Sequence, residues 1–401
     1  MSRAFLKAGH LPTLLAAFLY FDMSFMVWVI LGPLGVNIAE QLHLDAAQKG
    51  LMVAVPVLAG AFLRVVNGLL VDRIKPKLTG VISQAIVLAG LLAAWLVGIH
   101  TYAEVLLLGM VLGVAGASFA VALPLASRWY PPEYQGIALG IAGAGNSGTV
   151  FAALLAPSLA AAFGWINVIG LAVIPLAIAF AVYLICAKDA PNAPPPKTLL
   201  EYFAVLRITD AWWFMFFYSV TFGGFVGLAS SLTIYFNSEY GLNPVTAGYF
   251  TAACVFAGSL MRPAGGAVAD RIGGVRALSI FYTVAATTLT IVSFRPPQAE
   301  AALALFVLGM LVLGMGNGAV FQLVPQRFRR EIGVMTGLVG MTGGIGGFYL
   351  ASSLGFSKQL TGSYQAGLLI FAALAASALF GLTGIKTRWR TTWGAAALAR
   401  I

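Results

Sequence analysis

Two arginines are the residues in this chain best placed to do chemistry: Arg64 in GAFLRVVNGLLVDRIKPK (60–77) and Arg262 in GSLMRPAGGAVADRIGGVR (258–276). Each lies in an apolar stretch, and each precedes an Asp-Arg pair (Asp72-Arg73, Asp270-Arg271) by eight residues. Gly68 and Gly266 match as well, and every matched position is displaced by 198 residues. A guanidinium is planar, permanently charged and carries a fork of N–H donors, so two of them at symmetric positions suit a small planar oxyanion clamped from both sides. On a helix rising 1.5 Å per residue, eight residues put each arginine about 12 Å below its charged pair, near the middle of a bilayer. An arginine at that depth costs about 2.5–3.5 kcal/mol on insertion scales, and an anion arriving from water is the simplest partner to offset it. Pairing of each arginine with helix carbonyls or a loop acid is the plain alternative.

The rest of the chain must hold that pair in lipid. Of its 401 residues 60% are hydrophobic and only 9% charged, far below the quarter or so expected of a soluble protein. Long apolar runs rather than alternating ten-residue segments predict an all-α polytopic membrane protein, not a barrel. Spans are expected at roughly 12–38, 50–71, 78–99, 103–127, 136–162, 166–187, 210–236, 244–269, 276–295, 300–325, 332–357 and 362–386. The first run continues too far, without a small-residue cleavage site, for a cleavable signal peptide. Of the 23 Lys and Arg residues, eighteen fall on one side of these spans. They include Arg73, Lys75, Lys77, Arg128, Lys197, Arg271, Arg327, Arg329, Arg330, Arg388 and Arg400; the other side has Lys49, Arg295 and Lys358. That bias places both termini in the cytoplasm and makes the net charge of +10 a topological signal rather than a nucleic-acid footprint. A proline-rich break with Pro191, Pro194, Pro195 and Pro196 divides the chain into a six-helix bundle 1–187, a cytoplasmic linker 188–209 and a second bundle 210–401.

Further candidates sit on particular spans. Asp22 in FLYFDMSFMVW is the one carboxylate placed well inside the membrane, beside Phe21, Phe25 and Trp28. It could carry a proton, or serve as a fixed counter-ion or a packing hydrogen bond. Span 5 (136–162) reads GIALGIAGAGNSGTV, with Gly143, Gly145 and Gly148 thinning the helix around Asn146. Span 11 (332–357) carries Gly343, Gly344, Gly346 and Gly347 as its symmetry mate. Close helix packing explains such glycines equally well, but a side-chain amide at that depth needs a partner, which a ligand could be. Tyr218 and Phe222, four apart, share one helix face, and ordinary packing accounts for them as readily as a site does. Cys186 and Cys254 read as small core residues, and His10, His43 and His100 lack metal-ligand spacing.

The Gly-x-x-x-Asp-Arg ends of two spans resemble the loop motif of the major facilitator superfamily. Taken with SFMVW, FLRVVNG, GAGNSG, RPAGGAVADRIGG and GGIGGF, the chain resembles the nitrate/nitrite porter family along nearly its whole length, and bacterial assimilatory nitrate transporters through the FLYFD run. The resemblance implies nitrate or nitrite held between Arg64 and Arg262, Asn146 as a polar contact, and Phe25, Tyr218 and Phe222 as an enclosure. It also implies that the glycines of spans 5 and 11 let helices slide or bend as access changes. Asp72, Arg73, Asp270 and Arg271 would then latch the cytoplasmic side.

The reading that follows is a secondary transporter importing nitrate, and nitrite beside it, by alternating access in the bacterial inner membrane. Moving one charge across 100 mV costs about 2.3 kcal/mol, so anion import needs a compensating cation, and proton symport through Asp22 supplies one. Nitrate/nitrite antiport is the alternative, because an empty doubly cationic cavity would resist reorientation. A carboxylate exchanger and a membrane nitrate sensor are further alternatives. No nucleophile–base pair, metal cluster or phosphate loop points to an enzyme. The partners expected are nitrate, nitrite, protons and the lipid bilayer around a monomer, with no cofactor and no nucleic acid.

Overall fold

The computed structural model describes residues 3–191, 199–328 and 331–395; Pro194, Pro195, Pro196, Lys197, Arg329, Arg330 and Arg400 lie outside them. Among the described residues twelve helices are long and apolar enough to cross a bilayer, one for each expected span. They are α1 (Leu11–Trp28), α2 (Ala46–Ile74), α3 (Pro76–Val97), α4 (Tyr102–Ser127), α5 (Ile137–Phe163), α6 (Trp165–Cys186), α7 (Thr209–Tyr240), α8 (Pro244–Ile272), α9 (Gly274–Ser293), α10 (Ala299–Arg327), α11 (Ile332–Thr361) and α12 (Gln365–Thr391). Among the described residues there is no strand, in keeping with a solvent that cannot satisfy a free backbone group. Twelve crossings put the start of α1 and the end of α12 on one face, called here the terminal face; the opposite one is the far face.

Local chemistry sets the helix ends at the far face. Asp45 and Gln48 form a reciprocal capping box that opens α2, as Thr101 and Glu104 do for α4. Asn243 accepts the Thr246 amide at 2.9 Å ahead of Pro244, the first residue of α8. Two boundaries differ from expectation. The first span stops at Trp28 instead of running to 38, because Pro33 has no N–H and disfavours a helical Gly32; a short helix, Gly35–Leu42, follows the turn. The proline-rich connection also contains a helix, Leu199–Leu206.

Three helices break at mid-depth. The α4 helix is interrupted at Ala117–Ser118, α5 by a 3-10 turn at Ala144–Ser147, and α8 at Met261. Helix α2 runs through without a break. Interrupted helices in a membrane protein are tolerated where the freed backbone lines a protected cavity.

The two halves of the chain meet tightly from the far face to the middle. A Cβ on Gly50 of α2 would lie 2.7 Å from the Gly355 Cα of α11, and one on Gly248 of α8 would lie 2.8 Å from the Ala153 carbonyl oxygen of α5. The Ala46 amide donates to Gln359 Oε1 at 3.1 Å, closing the same seam. Such small-residue contacts let backbones approach where lipid provides no hydrophobic drive for association. Towards the terminal face the described ion pairs stay within one half: Asp72 with Arg128, and Asp210 with Arg327 and Arg388.

Candidate functional site

Arg64 stands eighteen residues after the start of the 29-residue α2, and Arg262 eighteen after the start of the 29-residue α8. Their surroundings differ. Arg64 is 1% exposed; its Nε donates to the Gly116 carbonyl at 3.1 Å and its Nη1 to the Gly340 carbonyl at 2.6 Å. Gly116 precedes the break in α4 and Gly340 belongs to α11, so one guanidinium bridges both halves of the chain. Its Nη2 is buried without a partner. Arg262 begins the second segment of α8, directly before Pro263, and its Nη1 is likewise buried without a partner. A buried charged donor left unpaired is costly, so these two nitrogens are places where an acceptor would be favourable.

Aromatic rings enclose the pair. The Arg64 guanidinium carbon lies 4.9 Å from the ring centre of Phe222, 5.2 Å from Trp28, 5.4 Å from Phe119 and 6.0 Å from Phe25. That of Arg262 lies 5.3 Å from Phe321 and 5.6 Å from the same Phe119. Tyr218 stacks on Phe222 at 5.2 Å and meets Phe321 edge-on at 5.0 Å. Both arginines thus sit against one continuous aromatic wall contributed by both halves, within cation–π range. Trp28 is held in place by an indole N–H bond to the Pro56 carbonyl at 2.8 Å.

Asn146 lies in the 3-10 turn of α5, 1% exposed, with its Oδ1 unpartnered. Its carbonyl accepts the hydroxyls of Thr149 at 2.7 Å and, from the other half, Ser259 at 3.3 Å. Asp22 is buried too, but it faces Ser147, whose Oγ lies 2.7 Å from Oδ1; among the described residues neither site arginine makes an ion pair.

The glycines divide. A Cβ on Gly145 or Gly148 would strike Phe21 or the Asp22 carbonyl, whereas one on Gly143 would meet nothing within 4 Å. On α11, Gly343 lies against Tyr218 and Phe222, Gly344 against Ala61 of α2, Gly346 against Ser219, and Gly347 against Val226 and Val57. Of the four Asp-Arg residues, Asp72 pairs with Arg128 at 2.6 Å inside its own half, while Arg73, Asp270 and Arg271 are exposed.

Sequence reasoning did not find Phe119, Phe321 or Asn317. Asn317 on α10 is 1% exposed with an unpartnered Oδ1, one turn before Phe321. Its signal was available: GMGNG around it parallels GAGNSG around Asn146. Chemically the site offers unspent guanidinium donors, amides and ring faces among buried residues, an arrangement able to bind a small anion.

The sequence pattern of the Major Facilitator Superfamily matches residues 13–351. The chain is 32% identical to a Bacillus subtilis protein named nitrite extrusion protein, over 88% of each chain. It is 33% identical to a Mycobacterium tuberculosis protein named probable nitrate/nitrite transporter NarK2, over 88% of this chain and 91% of that one. A crystal structure of a bacterial homologue of the human lysosomal transporter Spinster, inward-facing and occupied, superposes with a TM-score of 0.70 at 17% identity, covering 96% of this chain and 98% of that one; at that identity it supports the fold alone. The chain is therefore a transporter of the major facilitator superfamily and belongs to its nitrate/nitrite porter family.

Proposed function

We propose that the chain imports nitrate, and nitrite beside it, across a bacterial inner membrane by alternating access, as a monomer with both termini cytoplasmic. The observation that carries this reading is the unpartnered Nη2 of Arg64 and Nη1 of Arg262, both buried against one aromatic wall, with neither arginine in an ion pair among the described residues. Arg64 and Arg262 clamp the anion, Asn146 adds an amide, and Phe25, Tyr218 and Phe222 shut out water; guanidinium recognition of a planar oxyanion is bidentate and needs little else. The bundles 1–187 and 210–401 rock about the linker 188–209, with the glycines of α5 and α11 providing the sliding faces. Asp72, Arg73, Asp270 and Arg271 latch the terminal face when the far face opens. The bias of basic residues towards the terminal side supports the orientation, and the bacterial relatives support the membrane.

Import against an interior-negative potential requires a cation, and in the symport form Asp22 carries the proton. Antiport of nitrate against nitrite is the second reading, favoured by the fact that Asp22 faces Ser147 instead of either arginine. Proteoliposome uptake decides. Nitrate entry into empty vesicles driven by an inward proton gradient establishes symport; entry only into nitrite-loaded vesicles, indifferent to the gradient, establishes exchange. Saturable binding with no movement in either case would sink the transport reading in favour of a sensor.

A further inference from the structure

Asp22 occupies an unusual place: an acid of α1 set against the broken middle of α5. Its carboxylate Oδ1 accepts the Ser147 hydroxyl at 2.7 Å, and that hydroxyl also lies 2.9 Å from the Ala144 carbonyl. Ser147 is the last residue of the 3-10 turn, and Gly148 the first of the helical segment Gly148–Phe163. The turn meets its own backbone needs, since the Gly148 N–H donates to the Gly145 and Asn146 carbonyls; what α1 adds is an acceptor for the Ser147 hydroxyl. That acceptor comes from a different helix and caps the turn through its side chain rather than its backbone. The fit is close, since Cβ atoms on Gly148 and Gly145 would run into the Asp22 carbonyl and the Phe21 ring. On its other side the turn is tied to the opposite half, where Ser259, three residues before Arg262, donates to the Asn146 carbonyl.

We propose that Asp22 is a positioning residue, a cap contributed by α1 that holds the Ala144–Ser147 turn so that the Asn146 amide meets an anion between the arginines. The inference rests on the proposed anion site. It requires only an acceptor oxygen at position 22. Asp22→Asn therefore keeps the cap, whereas Asp22→Ala and Ser147→Ala lose it; a proton carrier would fail equally as Asn or as Ala.

The test uses the full chain in nanodiscs. It measures nitrate affinity by calorimetry and backbone amide exchange across residues 144–149 without anion. Asp22→Ala and Ser147→Ala are each expected to weaken nitrate binding about tenfold, the equivalent of one charge-assisted hydrogen bond, with the double variant no worse than Asp22→Ala. Asp22→Asn stays within about threefold of the unaltered chain. Exchange over 144–149 accelerates in the two alanine variants and not in Asp22→Asn. Unaltered affinity and exchange in Asp22→Ala, or equal loss in Asp22→Asn and Asp22→Ala, overturns the proposal. If the unaltered chain binds no nitrate while exchange still separates Ala from Asn, the nitrate reading fails and the capping role stands. Should Asp22→Ala not fold, Ser147→Ala carries the same expectation.

Discussion

The helices that carry the two arginines are copies by sequence and unlike by structure. Helix α2 is continuous, and Arg64 spends two of its donors on carbonyls from α4 and α11, under four rings. Helix α8 breaks at Met261, and Arg262 starts the new segment, half-buried, beside two rings. The copy of Pro263 in the first half is Val65, displaced by the same 198 residues. Proline removes a donor and collides with the carbonyl four residues back, here that of Ser259. One substitution between the repeats thus accounts for a continuous helix at one arginine and a broken one at the other. In the proposed clamp, a jaw on a continuous helix and a jaw at a helix break would hold the anion in a closed state and release it when the second half turns.

The largest effect expected is at the jaws themselves. Arg64→Lys and Arg262→Lys keep the charge and lose the planar fork, and each should cut nitrate uptake at least about a hundredfold, the loss of one or two charge-assisted bonds. Thermal unfolding without anion separates them: Arg64→Lys lowers the midpoint because the Gly116 and Gly340 carbonyls lose their donors, and Arg262→Lys leaves it near the starting value. Uptake near the unaltered level in either variant breaks the clamp. Next comes the helix break. Val65→Pro should cost about 3 kcal/mol or more by breaking the intact α2. Pro263→Val should leave stability intact while slowing turnover more than it changes affinity, read by comparing uptake rate with anion binding.

The same contrast explains what was legible in the sequence. Twelve spans and the arginine pair could be read because apolar run length and a 198-residue repeat are local or self-referential signals. The break in α8 is written as Pro263, but that in α4 at Ala117–Ser118 falls where no proline stands. Phe119 and Phe321 were hidden because an aromatic residue in an apolar helix looks the same whether it faces a core, lipid or a guanidinium. The bond from Asp22 to Ser147 joins residues 125 apart, and nothing at either position announces the other. Likewise the matched Asp72 and Asp270 gave no hint that one would find Arg128 and the other stay exposed while Arg327 turned to Asp210.

That divergence at the terminal face gives a smaller expected effect. Asp72 and Arg128 are mostly buried and 2.6 Å apart, so Asp72→Asn should cost about 1–3 kcal/mol, the penalty of leaving a buried charge poorly paired. Asp270→Asn should fall within about 0.5 kcal/mol of zero, as for an exposed side chain. Equal losses at the two positions, measured by denaturation in detergent, would mean that Asp270 engages a partner as Asp72 does.

The smallest effect concerns the turn beyond each arginine helix. Lys75 joins α2 to α3 at φ 71, a backbone conformation that side-chain-bearing residues rarely adopt, and its repeat mate Gly273 joins α8 to α9 at φ 92. The same turn is therefore built twice, once with the residue that suits it and once with a lysine held there by its surroundings. A non-glycine residue in such a region costs about 1–3 kcal/mol, part of which glycine gives back in the greater freedom of its unfolded chain. Lys75→Gly should accordingly stabilise the chain by about 1 kcal/mol, and Gly273→Lys should destabilise it by a similar amount, both read as opposite shifts of the thermal midpoint. A loss in Lys75→Gly would mean that the lysine side chain contributes more at that face than its backbone costs, and would make the first turn, rather than the second, the specialised copy.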